Sequence, residues 1–567
     1  MTNLTFADVR IFDGREVVGG THLRVADGRI DAIGNAEIAR PGDEIVPGGG
    51  ATLLPGLIDA HVHLLPGSAQ LAATFGVTTI IDQFSKPDVF QPELAAGADA
   101  EADAGAGARA GAGARAGAGA GAWGGPGGGW GGGRPVAAAV RTAGIGATAP
   151  GGHPSIAYAP FPTVSSPAEA VGFVAARVDE GSTHLKLIYD DGSGALLDLP
   201  SLDVATMEAL VREARRHGLP VVAHVSTARG AVVVAQCGVD VLAHIPFDRM
   251  TDQELTAVAR TGVAVISTLG VIDGFPLDGV MPLLNQPELA ARLSFRWQRV
   301  LNAQANRWMP PEPPDGAAAR YNAMALHESG VRLLAGTDAP NPGLVHGASL
   351  HRELQHLAAA GLRPAEALTA ATTTPAEVFG LDGRGRLAVG GRADLILVDG
   401  DPTVTIEATQ ALRGTWINGR PVDPGAYAGS ETERGGICWL RGTTDKIIAA
   451  IRDQWPGFPS PEEVTRDDGE LLGYAVPLAG GWQATTVFGA ALGPLTTHDD
   501  ATELLRTEGL ASLAELWWVR TIDHPDWREA RLTEVQPDRL RLHWADPMLE
   551  QPPTGSWYDV LDLEVKR

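Results

Sequence analysis

Cysteine is nearly missing: Cys237 and Cys438 are the only two in 567 residues. Two thiols cannot build a disulfide framework, and theirs is not the spacing of a cysteine metal site, so both are expected as inert buried groups. Basic charge is short as well, with 44 Lys plus Arg against 68 Asp plus Glu, a formal net charge of -24. A surface this acidic repels phosphate backbones and anionic lipid, which argues against nucleic acid and membranes as partners and leaves a small-molecule substrate. Long hydrophobic runs are absent too: nowhere do about 18 apolar residues follow one another. The N-terminal MTNLTFADVR lacks the basic segment and apolar core of a secretory signal, so a cytoplasmic protein is expected. No glycine-rich dinucleotide fingerprint follows the first strand of the central region, which weighs against an open nucleotide-binding sheet.

What remains is an ordinary globular composition, 44% hydrophobic and 20% charged, in a chain long enough for two or three folded units. Residues 5–34 alternate apolar and polar side chains around Asp13-Gly14 and Asp27-Gly28, the mark of hairpins. From Leu57 the pattern changes to short apolar runs: LIDAHVHL, VTTIIDQ, VAAAVRTAGI, HLKLIYD, LPVVAHV, DVLAHIP, VAVISTL and VRLLAGTDA. Amphipathic segments such as PAEAVGFVAARVDEG and VATMEALVREARRHG lie between most of them. Eight buried strands alternating with helices fit an α/β fold of the (β/α)8 TIM-barrel type.

The expected organisation is a barrel over residues 57–384, a β-sandwich composed of 1–56 and 385–428, and a C-terminal α+β domain at 429–567. Eight tryptophans from Trp439 to Trp557 mark the C-terminal part, where a core role is the simplest reading, and nothing in it looks catalytic. The Gly/Ala-rich run at 95–134 offers little to bury and is expected as a flexible insertion away from the chemistry.

His61 and His63 stand two apart on the first strand, so both imidazoles project to one side and can grip one divalent ion. His224 ends the fifth apolar run, His244 the sixth and Asp338 the eighth, at one height on the barrel face that hosts active sites. Lys186 reaches the same level on the fourth strand. A bare ammonium buried beside metal ions would be repelled and poorly solvated. Three states of Lys186 stay open: a neutral base, a CO2-derived carbamate bridging two metals, or an amine that snorkels to pair with Asp190 or Asp191.

PGLIDAHVHL, the lysine strand, the single histidines of strands five and six, GTDA and the closing ADLILVDGDP resemble the metal-dependent amidohydrolase superfamily. The likeness covers residues 5–425 and is nearest the binuclear branch with prolidase-like dipeptidases and imidazolonepropionase-like proteins. It implies two divalent ions, most simply Zn. His61, His63 and Asp338 would bind the more buried one, His224 and His244 the second, and carboxylated Lys186 would bridge them. It implies hydrolysis of an amide or peptide-like C-N bond by a hydroxide shared between the metals, with Asp338 as general base and then acid.

In prolidase-like relatives a histidine at the place of His153 helps bind the carbonyl or its oxyanion, although a plain loop histidine is the alternative. Tyr189, Asp190 and His346 are candidate substrate contacts, with loop capping the alternative for His346. His217 is expected at a helix C-terminus, His184 in packing, and His351 and His356 on an exposed helix. Two departures stand out. Ser226 replaces the substrate-holding tyrosine of prolidase-like relatives, and Thr227 replaces the proton-shuttling glutamate of superfamily deaminases. A mononuclear deaminase or lactone hydrolase of the same fold and a noncatalytic scaffold are the competing readings, and assembly into homo-oligomers stays open.

Overall fold

A computed structural model describes residues 3–101, 135–190, 199–276, 280–305, 316–454, 461–478, 480–536, 538–546, 549 and 551–566. The apolar runs form eight short parallel strands: β1 (Leu57–Val62), β2 (Val77–Asp82), β3 (Ala139–Thr142), β4 (Leu185–Ile188), β5 (Val221–His224), β6 (Val241–Ala243), β7 (Ala264–Ile266) and β8 (Leu333–Leu334). They are rich in Val, Ile and Leu with nearly every residue buried, as expected of parallel strands covered on both faces. β1 to β3 make one sheet and β4 to β8 another, each in chain order. Isolated parallel bridges join the two sheets at both ends, Ala147 to Leu187 and Val62 to Ala339. A fully buried cluster of Ala60, Val222, Val241, Ala243, Ala264, Ile266 and Leu334 draws on five strands from both sheets.

The helices follow from local signals. Val204–Arg216 starts at Asp203, whose carboxylate accepts the Thr206 N–H at 2.7 Å, and it buries Met207, Leu210, Val211 and Ala214 along one face. The two flanks share a six-stranded sheet, in which Leu395–Val398 runs antiparallel to Thr52–Pro55. Sequence-distant segments thus hydrogen-bond directly and bury Phe6, Ile11, Leu23, Leu53, Leu395 and Leu397 together.

The chain forms two compact units, Met1–Ile272 with Pro314–Leu440, and Asp273–Pro313 with Arg441–Arg567. The stretch at 273–313, which the strand pattern assigns to the barrel, therefore belongs with the C-terminal part. One tie is Arg296, whose Nε donates to Asp562 at 2.7 Å, a partner no local pattern discloses. This second unit has a three-stranded and a five-stranded antiparallel sheet and the helix His498–Glu508, around Trp517, Leu505, Leu540 and Leu542. Trp517 and Trp544 are core residues, whereas Trp518 is 43% exposed.

Four local expectations need correction. Cys438 is exposed, because its helix turns it outward, while Cys237 is buried. The low-complexity run begins inside the helix Pro87–Glu101, its first residues being rich in alanine rather than glycine. Positions 102–134 lie outside the described residues. His351 is buried along with Leu350, Leu354 and Leu357 of its helix, its Nε2 donating to the Phe75 carbonyl at 2.9 Å, and His356 is half-buried. Among the described residues no helix is long and apolar enough to cross a membrane.

Candidate metal centre

The ends of β1 and β8 are stitched together: Asp338 N–H donates to the His61 carbonyl and His63 N–H to the Ala339 carbonyl, both at 2.7 Å. Gly336 permits this approach, since a Cβ there would sit 2.9 Å from the His61 backbone nitrogen. Asp338 Oδ1 consequently lies 3.3 Å from His61 Nε2 and 3.0 Å from His63 Nε2. His244 Nδ1 is 3.9 Å from the other carboxylate oxygen, and His244 Nε2 is 2.9 Å from His224 Nδ1. One ligand atom each of His61, His244 and Asp338 falls within 4.8 Å of the others.

Backbone strain gathers here too. Of six described non-glycine residues at positive φ, His244, Thr268 and Asp338 belong to this centre. L residues avoid that region, so their strand ends are held in an unfavourable turn by the surrounding structure.

Outer contacts decide which nitrogens face inward. His63 Nδ1 is 3.1 Å from the Phe84 carbonyl, which can only accept, so Nδ1 carries hydrogen and Nε2 presents a lone pair toward Asp338. His224 Nε2 likewise donates to Asp190 Oδ2 at 3.1 Å, leaving Nδ1 as a lone pair facing His244. Thr268 Oγ1 takes the outer nitrogen of His244 at 2.8 Å. Lone pairs and a carboxylate pointed at one another in a dry site repel unless a cation lies among them. The donor set therefore fits a divalent metal, and His61, His63, His224, His244 and Asp338 are the residues that would hold it.

Two of the imidazoles are held neutral. Burial, then the nearby Lys186 charge, drives the His61 imidazole well below its ordinary range; burial, then His224, does the same to His244. Burial opposes ionisation of Asp338, yet a hydrogen bond from His63 Nε2, whose own pKa that contact raises, and neighbouring positive charge bring its pKa to about 2, so without a cation a proton shared by this pair stands where the cation would lie.

Lys186 is 2% exposed and its Nζ has no hydrogen-bond partner. It does not snorkel. Desolvation lowers its pKa to about 7, so the neutral amine that reacts with CO2 is populated near neutrality. The strand register also corrects the sequence reading of a common height. Lys186 pairs with Val222, two residues before His224, so its four-carbon stem supplies the missing reach.

The loop after β3 brings His153 over His224, rings stacked at 4.8 Å, and burial lowers the His153 pKa to about 3. Three candidate substrate contacts lie elsewhere. Tyr189 falls on the outward side of β4 by strand alternation, and its ring packs near Gly230. Asp190 is engaged with His224 and with Ser226 Oγ at 3.1 Å. His346 is fully buried and donates to the His63 carbonyl at 3.0 Å, because the post-β8 loop folds beneath the HVH strand end. His184 packs edge-on to Phe379, and His217 caps the C-terminus of Val204–Arg216, both as expected.

Several residues escaped the sequence reading. Asp59 accepts from Thr337 and the His61 N–H, with burial raising its pKa to about 7. Asp82 ends β2 and accepts from Thr142 and Ser85. Both carried the signal used elsewhere, a polar residue interrupting a buried strand. Tyr158, whose ring lies 6.3 Å from that of His63, ends the short helix Ser155–Tyr158 and carries no such signal.

A family model for the amidohydrolase family matches residues 52–422, and the chain belongs to that family. It is 46% identical over 92 residues to an imidazolonepropionase of Rubrobacter xylanophilus, and 43% over 79 residues to an adenine deaminase of Methanoregula boonei. These stretches cover 16% and 14% of this chain and only 20% and 13% of the relatives. Among solved structures, a Xaa-Pro dipeptidase is similar with a TM-score of 0.54 at 18% identity, covering 74% of this chain and all of that one. Molinate hydrolase is similar with a TM-score of 0.54 at 18% identity, over 76% of this chain and 96% of its own. At such identities the likeness is one of fold.

Proposed function

We propose that this protein is a binuclear metal-dependent hydrolase that cleaves an amide or peptide-like C-N bond of a small molecule. One observation carries the reading: outer hydrogen bonds turn histidine lone pairs and the Asp338 carboxylate onto one buried point, beside an unpaired Lys186 amine. We further infer that the eight parallel strands close into one (β/α)8 barrel, supported by the bridges at both seams. On this reading His61, His63 and Asp338 hold one ion and His224 and His244 the other. Lys186, as its carbamate, would add an anionic ligand to the set and would remove the unpaired amine.

Bound divalent ions would acidify a water and polarise the scissile carbonyl. Asp338, ionised far below neutrality, accepts a proton on its carboxylate and returns it to the leaving nitrogen. His153, kept neutral by burial and stacked beside His224, places a ring N–H donor where the carbonyl oxygen gains charge. Phe84, Tyr158, Phe161 and Trp439 form a chain of rings leading from His63, at centroid separations of 5.2 to 6.3 Å. Three of them are half-buried, and they suit an apolar or aromatic substituent of the substrate.

The matched adenine deaminase stretch raises the competing deaminase reading. Thr227 speaks against it, since its hydroxyl caps the helix Ala228–Gln236 by accepting the Gly230 N–H at 3.1 Å. The deciding experiment combines metal analysis after reconstitution with zinc and bicarbonate and a screen of N-acyl amino acids, dipeptides, lactams and lactones. Two ions per chain with turnover of an amide are expected. One ion per chain, or none, would overturn the binuclear proposal.

A further inference from the structure

We propose that Asp190 is a positioning residue that holds His224 with its Nδ1 facing inward, and that Ser226 braces it; this rests on the reading of His224 as a metal ligand. Asp190 follows β4 and His224 ends β5, so the two meet across adjacent strand ends. The Tyr189 N–H donates to the His224 carbonyl at 3.2 Å and fixes that junction. The carboxylate then receives two donors. His224 Nε2 approaches Oδ2 at 3.1 Å and Ser226 Oγ approaches Oδ1 at 3.1 Å. The Asp190 N–H is itself tied to Ser201 Oγ at 3.1 Å. With side-chain exposures of 11% for Asp190 and 15% for His224, the pair is largely shielded from water.

A carboxylate on the far nitrogen of a metal-binding imidazole selects one tautomer, fixes the ring plane and makes the inner nitrogen more basic. Here it also explains Ser226. A carboxylate free to rotate would leave His224 free to flip, and the serine hydroxyl pins the second oxygen. Asp190 is thereby withdrawn from the substrate, since both of its oxygens are already engaged.

The test uses the full chain, as wild type, Asp190→Ala, Asp190→Asn and Ser226→Ala, with zinc stoichiometry and competition against a chelator as readouts. The wild type should bind two zinc ions. Asp190→Ala should keep one tightly and hold the second about 10- to 100-fold more weakly, with turnover restored by added zinc and KM unchanged. Asp190→Asn, which keeps the volume and one acceptor, should fall between, and it serves as the probe should the alanine variant not fold. Ser226→Ala should weaken the second zinc less than either. Wild-type zinc affinity in the Asp190 variants together with a raised KM would overturn the inference and make Asp190 a substrate contact. A wild-type chain that binds one zinc would overturn the binuclear reading and this inference with it.

Discussion

His61, in the first compact unit, is 1% exposed, and burial beside Lys186 forces its imidazole to stay neutral. His498, in the second, is 38% exposed, and Glu462 at 2.8 Å followed by Asp499 raises its pKa. The same side chain has its charged form disfavoured by burial in one place and favoured by neighbouring carboxylates in the other. Around β1 and β4, polar atoms such as His61 Nδ1 and Lys186 Nζ are shut away without hydrogen-bond partners. At the core of the second unit the indole N–H of Trp517 meets the Ser512 carbonyl at 2.8 Å. Unpaired buried polar groups cost stability, so a fold retains such a cluster where a ligand completes it. The contrast separates chemistry from support and can be broken by experiment.

The largest effect is expected at the centre. Asp338→Asn should lower kcat for amide hydrolysis by about 10²- to 10⁴-fold, measured as turnover of the best substrate from the screen. Retained activity would remove Asp338 from the proton path. In the second unit Trp517→Ala should cost about 3 to 5 kcal/mol of stability, read by chemical denaturation, while zinc content per folded chain stays at the wild-type value. Loss of zinc in that variant would mean that the units do not divide chemistry from support.

The units should also respond to pH with opposite signs. Burial lowers the pKa of His184 to about 3 and of His346 to about 4 in the folded chain, against about 6.5 when unfolded. The unfolded chain thus takes up protons first, and the first unit loses stability as pH falls from about 6.5 toward 3. The His498 pair works the other way: its raised folded pKa favours the fold at acid pH, and the contribution disappears as pH rises. Being exposed, it is the smaller effect. Hydrogen exchange resolved by unit across pH 3 to 8 checks both directions. Smallest and alike should be Thr251→Ala and Thr497→Ala, each removing a helix N-cap, one per unit, at about 1 kcal/mol by thermal melting.

Much of the centre was readable in the chain. Two-residue alternation places His61 and His63 on one side of β1, and Lys186 inside HLKLIYD, for which snorkelling stayed open, is buried. Alternation also held the answer for Tyr189, which shares the outward side with Leu187. Asp190, His346 and Tyr158 were not readable, because their roles depend on loop paths that no period encodes. The placement of 273–313 escaped for a related reason: its partners lie some way along the chain, at Val560 and Asp562.

By itself the sequence determined the strand order and the shared side of His61 and His63, since side-chain alternation and hydrophobic runs are properties of the local chain. Only the tertiary structure decided which lone pairs face one another. It set Lys186 a step deeper than His224 and brought Asp190 against His224 and Ser226. Those outcomes depend on the meeting of separate strand ends within about 3 Å, the range over which hydrogen bonds choose a tautomer.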